Sequence, residues 1–306
     1  MKKILTLFIH DRLIRFYPRP DNVIEHMKNL FIIAALVLGI STSISAEIAS
    51  PPKRIVSLAP NMTEILYALG LGDNIVGVTS FCDYPEEAKK KPKIGGMSDP
   101  SLEAVVSLKP DIVVMTTDGN PKEFEERLRS LEVHTYVSQA RRLADLPRGI
   151  RELGVALGVR ERADALADKI AAGIRNSAGQ KAALASPPST PKKILFIVWP
   201  EPLIVAGPGT VINDAIALLR GENLAATAKT QYPKYSIEEA IRQAPDVIMI
   251  GKASGMDMQA ISNGILQRLA TVPAVKNGKV CFMGDSLYRL GPRVVKGIEE
   301  LSECLK

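Results

Sequence analysis

Histidine is almost missing from this chain. Of its three, His10 and His26 fall in the first 46 residues, so His134 is the only imidazole beyond them. A site for bare zinc or manganese normally draws on several imidazoles, and a Ser-His-Asp hydrolase would have to be built on this one. His134 sits in residues 132–137, which alternate like a strand, and it reads as a structural strand residue. Cysteine is nearly as scarce. Cys82, Cys281 and Cys304 form no C-x-x-C, which removes the usual zinc and redox motifs. In an exported chain an odd count leaves at least one thiol unpaired. Cys281, in a predicted strand, and Cys304, ending the helix expected to run back along it, are the candidate pair. Neither G-x-x-x-x-G-K-[ST] nor G-x-S-x-G occurs, so no phosphate-cradling P-loop and no nucleophile elbow is encoded. Gly70-Leu71-Gly72 follows a helix instead of preceding one, and reads as a helix end.

Long apolar runs are also lacking. The most apolar segment is residues 30–40, too short for a membrane span of about 20 residues. It follows Met27-Lys28-Asn29 and leads into the small residues 41–46, the layout of a secretory signal with cleavage expected after Ala46. No Cys follows the run, so a lipid anchor has no attachment point. Residues 1–26 fit no signal-peptide layout, and two readings stand: a true start at Met27, or a long basic n-region. Residues 1–46 are therefore a leader and the location expected is periplasmic. The leader also holds six of the 39 Lys/Arg and three of the 33 Asp/Glu, leaving 33 against 30 beyond it. A dispersed +3 gives no footprint for nucleic acid.

The remaining 260 residues read as a duplication. Ser101-Leu102-Glu103 is followed, seven residues after the Glu, by Pro110-Asp111 and an apolar run; Ser236-Ile237-Glu238 is followed at the same distance by Pro245-Asp246 and another. In each, Ser is a candidate N-cap, a helix lasts two turns, Pro ends it and a buried strand begins. Strands alternating with helices predict parallel sheets covered on both faces. The fold class expected is α/β: two similar lobes (53–142 and 192–306), each with a parallel-sheet core, joined by one long α-helix over 143–185 and therefore stiff. Asn61 and Glu64 have the spacing of a capping box at the first helix.

Ligands of α/β sheets bind at the carboxyl ends of the strands. Here those loops hold Pro60-Asn61, residues 81–85, Trp199-Pro200-Glu201-Pro202, Tyr232-Pro233 and residues 285–292. Their aromatics suit a large, flat, partly apolar ligand, or seal the lobe junction. Gly207-Pro208-Gly209 offers backbone N–H groups or is simply a tight turn.

The stretch RIVSLAPNMTEILYALGLGDNIVGVTSFCDYPEEA, followed by GGMSDPSLEAVVSLKPDIVV, resembles the periplasmic binding proteins of importers for cobalamin and iron complexes, over essentially all of 53–306. The segment GVTSFCDYP is most similar to the cobalamin-binding branch. The resemblance implies a non-enzymatic, monomeric protein that holds a corrinoid between two lobes, as cargo and not as a resident cofactor, and passes it to a dimeric ABC permease. It implies ligand contacts at Tyr84, Tyr232, Asp285, Arg289 and Pro292 and at Pro60 and Asn61, with Trp199 added from the loops above. It also implies permease docking through Glu103 and Glu238; favourable charge at a helix N-terminus is the other reading of that pair. Gly95-Gly96-Met97 and Thr116-Thr117-Asp118-Gly119 lack the aromatics expected of cobalamin binders, which leaves haem and ferric siderophores as alternatives. An exported α/β enzyme is the remote one.

Overall fold

The computed structural model describes residues 50–183, 190–252 and 256–306. The leader read in residues 1–46 lies outside the described residues. Ser50–Lys306 form one compact unit. Among the described residues no helix is long and apolar enough to cross a membrane.

The first lobe is a parallel sheet of β1 (Ile55–Ser57), β2 (Ile75–Val78), β3 (Ile112–Thr116) and β4 (Thr135–Ser138), in the order β2-β1-β3-β4. Every residue of β1 is buried, as a central strand covered on both faces should be. The crossovers carry α1 (Pro60–Ala68), α2 (Glu86–Lys89), α3 (Leu102–Ser107) and α4 (Lys122–Ser130). In the second lobe β5 (Lys193–Trp199) pairs in parallel with β7 (Glu222–Asn223) and β8 (Val247–Gly251), and β8 with β9 (Val280–Met283). The two-residue β6 (Ile204–Val205) runs antiparallel at the edge of β5. Its helices are α7 (Val211–Leu218), α8 (Ile237–Gln243), α9 (Met258–Arg268), α10 (Pro273–Lys276) and α11 (Val294–Cys304).

The duplicated motif folds alike in both lobes. Ser101 caps α3 by accepting from the Ala104 N–H, and Ser236 caps α8 by accepting from the Glu239 N–H. Each helix is followed by a residue at positive φ, Lys109 (+46°) and Ala244 (+50°), directly before its Pro. The Asp after the Pro is a structural latch. Asp111 Oδ2 accepts from the N–H groups of Lys53 and Arg54, and Asp246 Oδ2 from that of Lys193, fixing the entry to β1 and β5.

Two local expectations are corrected. The connector is not one helix: a 3-10 turn (Leu143–Asp145) leads into α5 (Leu146–Ala156), which breaks before α6 (Arg160–Ala183). Gly158, at φ +66°, makes the reversal, and Gly154 lacks a Cβ that would collide with Ala163 where α5 and α6 pack together. α6 spans the lobes: Arg162 reaches the Gly70 carbonyl of the first lobe, and Gly173 lies against Val295 of α11 in the second. One buried apolar cluster continues from Ile65 and Leu69 through Leu153, Ala163 and Ile170 to Ile216 and Ile298, so the junction is part of the core. Nor does the capping box form. α1 starts at Pro60 with Ala59 as N-cap and no side-chain cap, which places Asn61 and Glu64 inside the helix.

Cys281 on β9 and Cys304 at the end of α11 are joined by a disulfide, with Cα atoms 6.3 Å apart. Cys82 is free and buried, beside the Thr63 and Thr79 hydroxyls at 3.1 Å.

Candidate functional site

The loops at the carboxyl ends of the two sheets enclose a cleft with two chambers. The larger, about 860 Å³, is lined by Phe81, Phe196, Val198, Ile204, Met256 and Tyr288, with Asp83, Lys252, Asp285 and Arg289 as its charged members. The smaller, about 340 Å³, is lined by Pro60, Asn61, Met97, Asp118, Arg141, Thr210 and Gln231 among others. Ile212, Tyr232, Tyr288 and Arg289 line both and so stand at their boundary. Each lobe contributes by the same rule: Phe81 and Asp83 follow β2, Asp118 follows β3, Arg141 follows β4, Lys252 follows β8, and residues 285–290 follow β9.

Beneath the chambers the lobes are joined by charge. Glu64 of α1, its side chain 1% exposed, accepts from Arg293 Nη2 at 2.6 Å and Nε at 2.9 Å. Arg293 also reaches Asp285 at 2.9 Å. Arg289 pairs with Asp83 of the first lobe and with Asp285 at 3.1 Å, and lies 3.6 Å from Glu64. Burial pushes the Glu64 carboxyl above its ordinary range, although Arg293 and Arg289 pull it down. Burial likewise works against the charge of Arg293, but hydrogen bonds to Glu64 and Asp285 outweigh it and its pKa is raised. A second bridge joins Arg142, at the start of the connector, to Asp214 of α7, which also accepts from the Leu143 N–H at 3.0 Å. Burial pushes the Tyr288 phenol up to about 12, and its hydroxyl donates to the Lys252 carbonyl. That phenol is a hydrogen-bond donor and not a ready phenolate.

Of the residues named from sequence, Pro60, Asn61, Tyr232, Asp285 and Arg289 come together around this cleft. Tyr84 and Trp199 lie outside both linings. The Tyr84 ring carries the Arg293 guanidinium 4.2 Å from its centroid, so it backs the ionic network. Trp199 packs against the second-lobe core and donates from Nε1 to the Glu201 carbonyl at 2.8 Å. In the Gly207-Pro208-Gly209 turn, the Gly207 N–H is taken by the Gln231 carbonyl, while Gly209 lines the smaller chamber. Glu103 and Glu238 are exposed, each the second residue of its helix and away from the cleft linings.

Sequence reasoning passed over Phe196, Arg141 and Arg293, and covered Tyr288 only as part of the 285–292 loop. Asp285, Arg289 and Arg293 stand at successive i, i+4 positions, a spacing that could have marked the ionic network. Met97 and Asp118, set aside for lacking aromatic rings, do face the smaller chamber. Among the described residues no group of His, Cys, Asp and Glu is arranged to hold a metal ion.

Comparison with known proteins agrees with this fold. Residues 55–287 match the family model described as periplasmic binding protein. A vitamin B12-binding protein of Vibrio cholerae is 30% identical over 278 residues, covering 90% of this chain and 96% of that one. The crystal structure of the periplasmic vitamin B12 binding protein of Vibrio cholerae superposes with a TM-score of 0.71 at 28% identity, over 83% of this chain and 97% of that chain. A periplasmic heme binding protein from Pseudomonas aeruginosa gives a TM-score of 0.74 at 27% identity, over 82% and 91%. With two parallel-sheet lobes, a helical connector between them and a cleft at their facing strand ends, the chain belongs to the periplasmic binding protein family.

Proposed function

We propose that this protein captures a corrinoid, cobalamin or a close relative, between its lobes and delivers it to an ABC import permease. The observation that carries the reading is the larger chamber, about 860 Å³ and walled by Phe81, Phe196, Tyr288 and Met256. Aromatic and aliphatic faces set apart by that volume suit a flat macrocycle, with a few polar groups to orient it. The corrinoid is cargo, and no resident cofactor or catalytic residue is assigned. The protein acts as a monomer in the periplasm, exported by its leader. Glu103 and Glu238 are proposed as the contacts to the permease, one carboxylate per lobe toward each half of a dimer. A hydrogen bond from its own backbone N–H, with help from Ser236, holds the Glu238 carboxyl below its ordinary range, which keeps it charged for such a contact.

Haem is the second reading, favoured by the comparable likeness to heme-binding structures. One experiment separates them. The protein is incubated with cyanocobalamin, haem or a ferric siderophore, desalted, and its absorption spectrum recorded. Retention of the corrinoid spectrum at sub-micromolar protein supports the proposal. Retention of haem or siderophore alone moves the protein to the iron-complex branch.

A further inference from the structure

The two chambers hold six charged side chains, and they balance. Arg141, Lys252 and Arg289 face Asp83, Asp118 and Asp285. The Arg289 guanidinium is enclosed by Asp83 and Asp285, with Glu64 at 3.6 Å, so its charge is already answered within the protein. Arg293 behind it is answered by Glu64 and Asp285. In the smaller chamber Arg141 is held by the Thr117 hydroxyl at 3.0 Å and the Thr117 carbonyl at 3.1 Å, and it shares the lining with Asp118. Asp118 also lies close enough to Tyr232 to act on it electrostatically.

A carboxylate entering this cleft would meet three aspartates, and at Arg289 it would have to compete with Asp83 and Asp285, which already hold that guanidinium. A primary amide meets no such conflict. Its carbonyl accepts from a guanidinium and its two N–H groups donate to a carboxylate, so a cation and an anion on one wall satisfy it at both ends. Flat macrocycles of similar size divide along this line: corrinoids are fringed by neutral acetamides and propionamides, iron porphyrins by two propionates. We infer that the cleft selects an amide-fringed macrocycle against a carboxylate-fringed one, with Asp118 and Arg141 as the pair that sets the preference in the smaller chamber. The inference rests on the corrinoid reading and adds to it a basis for selectivity.

The probes are cyanocobalamin and its monocarboxylic acids, in which one peripheral amide has been hydrolysed. Affinities are measured by titration calorimetry at pH 7.5 for the unmodified protein, for Asp118→Asn and for Arg141→Gln, with melting curves to establish that each variant is folded. The unmodified protein should bind the acids about tenfold more weakly than the amide. Asp118→Asn should remove most of that difference, and Arg141→Gln should widen it. Equal affinity of the unmodified protein for amide and acid, or a variant that changes both by the same factor, overturns the inference. Failure to bind any corrinoid sinks the corrinoid reading by itself. The charge preference is then decided with haem and its diamide: tighter binding of the diamide, relaxed by Asp118→Asn, upholds the selection, and tighter binding of haem overturns it.

Discussion

The outward helices of the two lobes are alike, and the inward loops are not. From residue 101 to 108 and from 236 to 243 the exposure pattern is the same at every position, with Glu103 and Glu238 exposed, Val105 and Ala240 buried, and Val106 and Ile241 exposed. At the cleft the correspondence is gone. The first lobe brings Glu64, Asp83, Asp118 and Arg141, while the second brings Tyr232, Tyr288, Lys252, Asp285, Arg289 and Arg293, and across the junction the acids Glu64 and Asp83 meet the bases Arg293 and Arg289. A surface that keeps its duplication fits a partner that is itself two equal halves. A cleft that has lost it fits one ligand with two different sides. The opposite charges also give the lobes a reason to stay in one register, since each side of the network is incomplete without the other.

That last point yields the largest expected effect. Glu64→Ala would leave the Arg293 guanidinium short of a partner in the junction and open space where a side chain is 1% exposed. Breaking a buried pair by removing one member typically costs about 3–5 kcal/mol. The melting temperature should therefore fall by at least about 6 °C. A fall of less than 1 °C would show that the lobes are held by the α6 core alone. Glu64→Gln is milder and exposes the titration. The Glu64 carboxyl is raised by burial against the pull of Arg293 and Arg289, with Asp285 adding to the rise. The folded state thus takes up a proton at a higher pH than the unfolded chain does, and Glu64 ionisation counts against folding at neutral pH. On acidification from pH 7 through that raised value, the unmodified protein should gain stability relative to Glu64→Gln, read as a widening gap between their urea midpoints.

The same contrast explains what was legible in the sequence. The caps at Ser101 and Ser236, the ends at Pro110 and Pro245 and the buried strands after them are local signals, each carried within about ten residues, and all folded as read. The Asn61/Glu64 capping spacing was also local but misled, because Pro60 takes the first helical position and the partner of Glu64 lies 229 residues away. The connector was read as continuous although Gly154 and Gly158 stood in it. Their weak helix propensity marked a close approach and a reversal that only the packing of α5 on α6 makes visible. The aromatic loops named the cleft, with Tyr288 inside the 285–292 loop, but Phe196 could not be told from a core residue by pattern, since it stands between Leu195 and Ile197 in an apolar strand.

The next expected effect tests the outward surface. Charge reversal at both Glu103 and Glu238 to Arg should leave corrinoid affinity unchanged, because neither lines a chamber. It should lower permease-dependent uptake by more than about tenfold, since like charges would then face each other at both contacts. Each single reversal should do less. Normal uptake in the double variant would place docking elsewhere and leave the two carboxylates as helix-end residues.

The smallest effect is the sharpest test of why the duplication persists. Val106 and Ile241 are 36% and 41% exposed, three residues after Glu103 and Glu238, the proposed docking carboxylates, on the same helix face. A solvent-facing helix position has no reason to stay aliphatic in both lobes, whereas a contact pairing a carboxylate with an apolar neighbour does. Burying one such side chain against a partner is worth about 1 kcal/mol by its area. Replacing either one by Ser should therefore reduce uptake by a few-fold, while ligand affinity and the melting temperature stay as they were, because neither residue belongs to the cleft or the core. If the Val106→Ser, Ile241→Ser protein transports normally while the double Glu reversal does not, the permease reads charge alone, and the matched aliphatics are only a remnant of the duplication. If instead the protein self-associates less than before in light scattering, the patch serves a second copy of this chain, and the comparison between outward helices and inward loops has to be redrawn around a dimer.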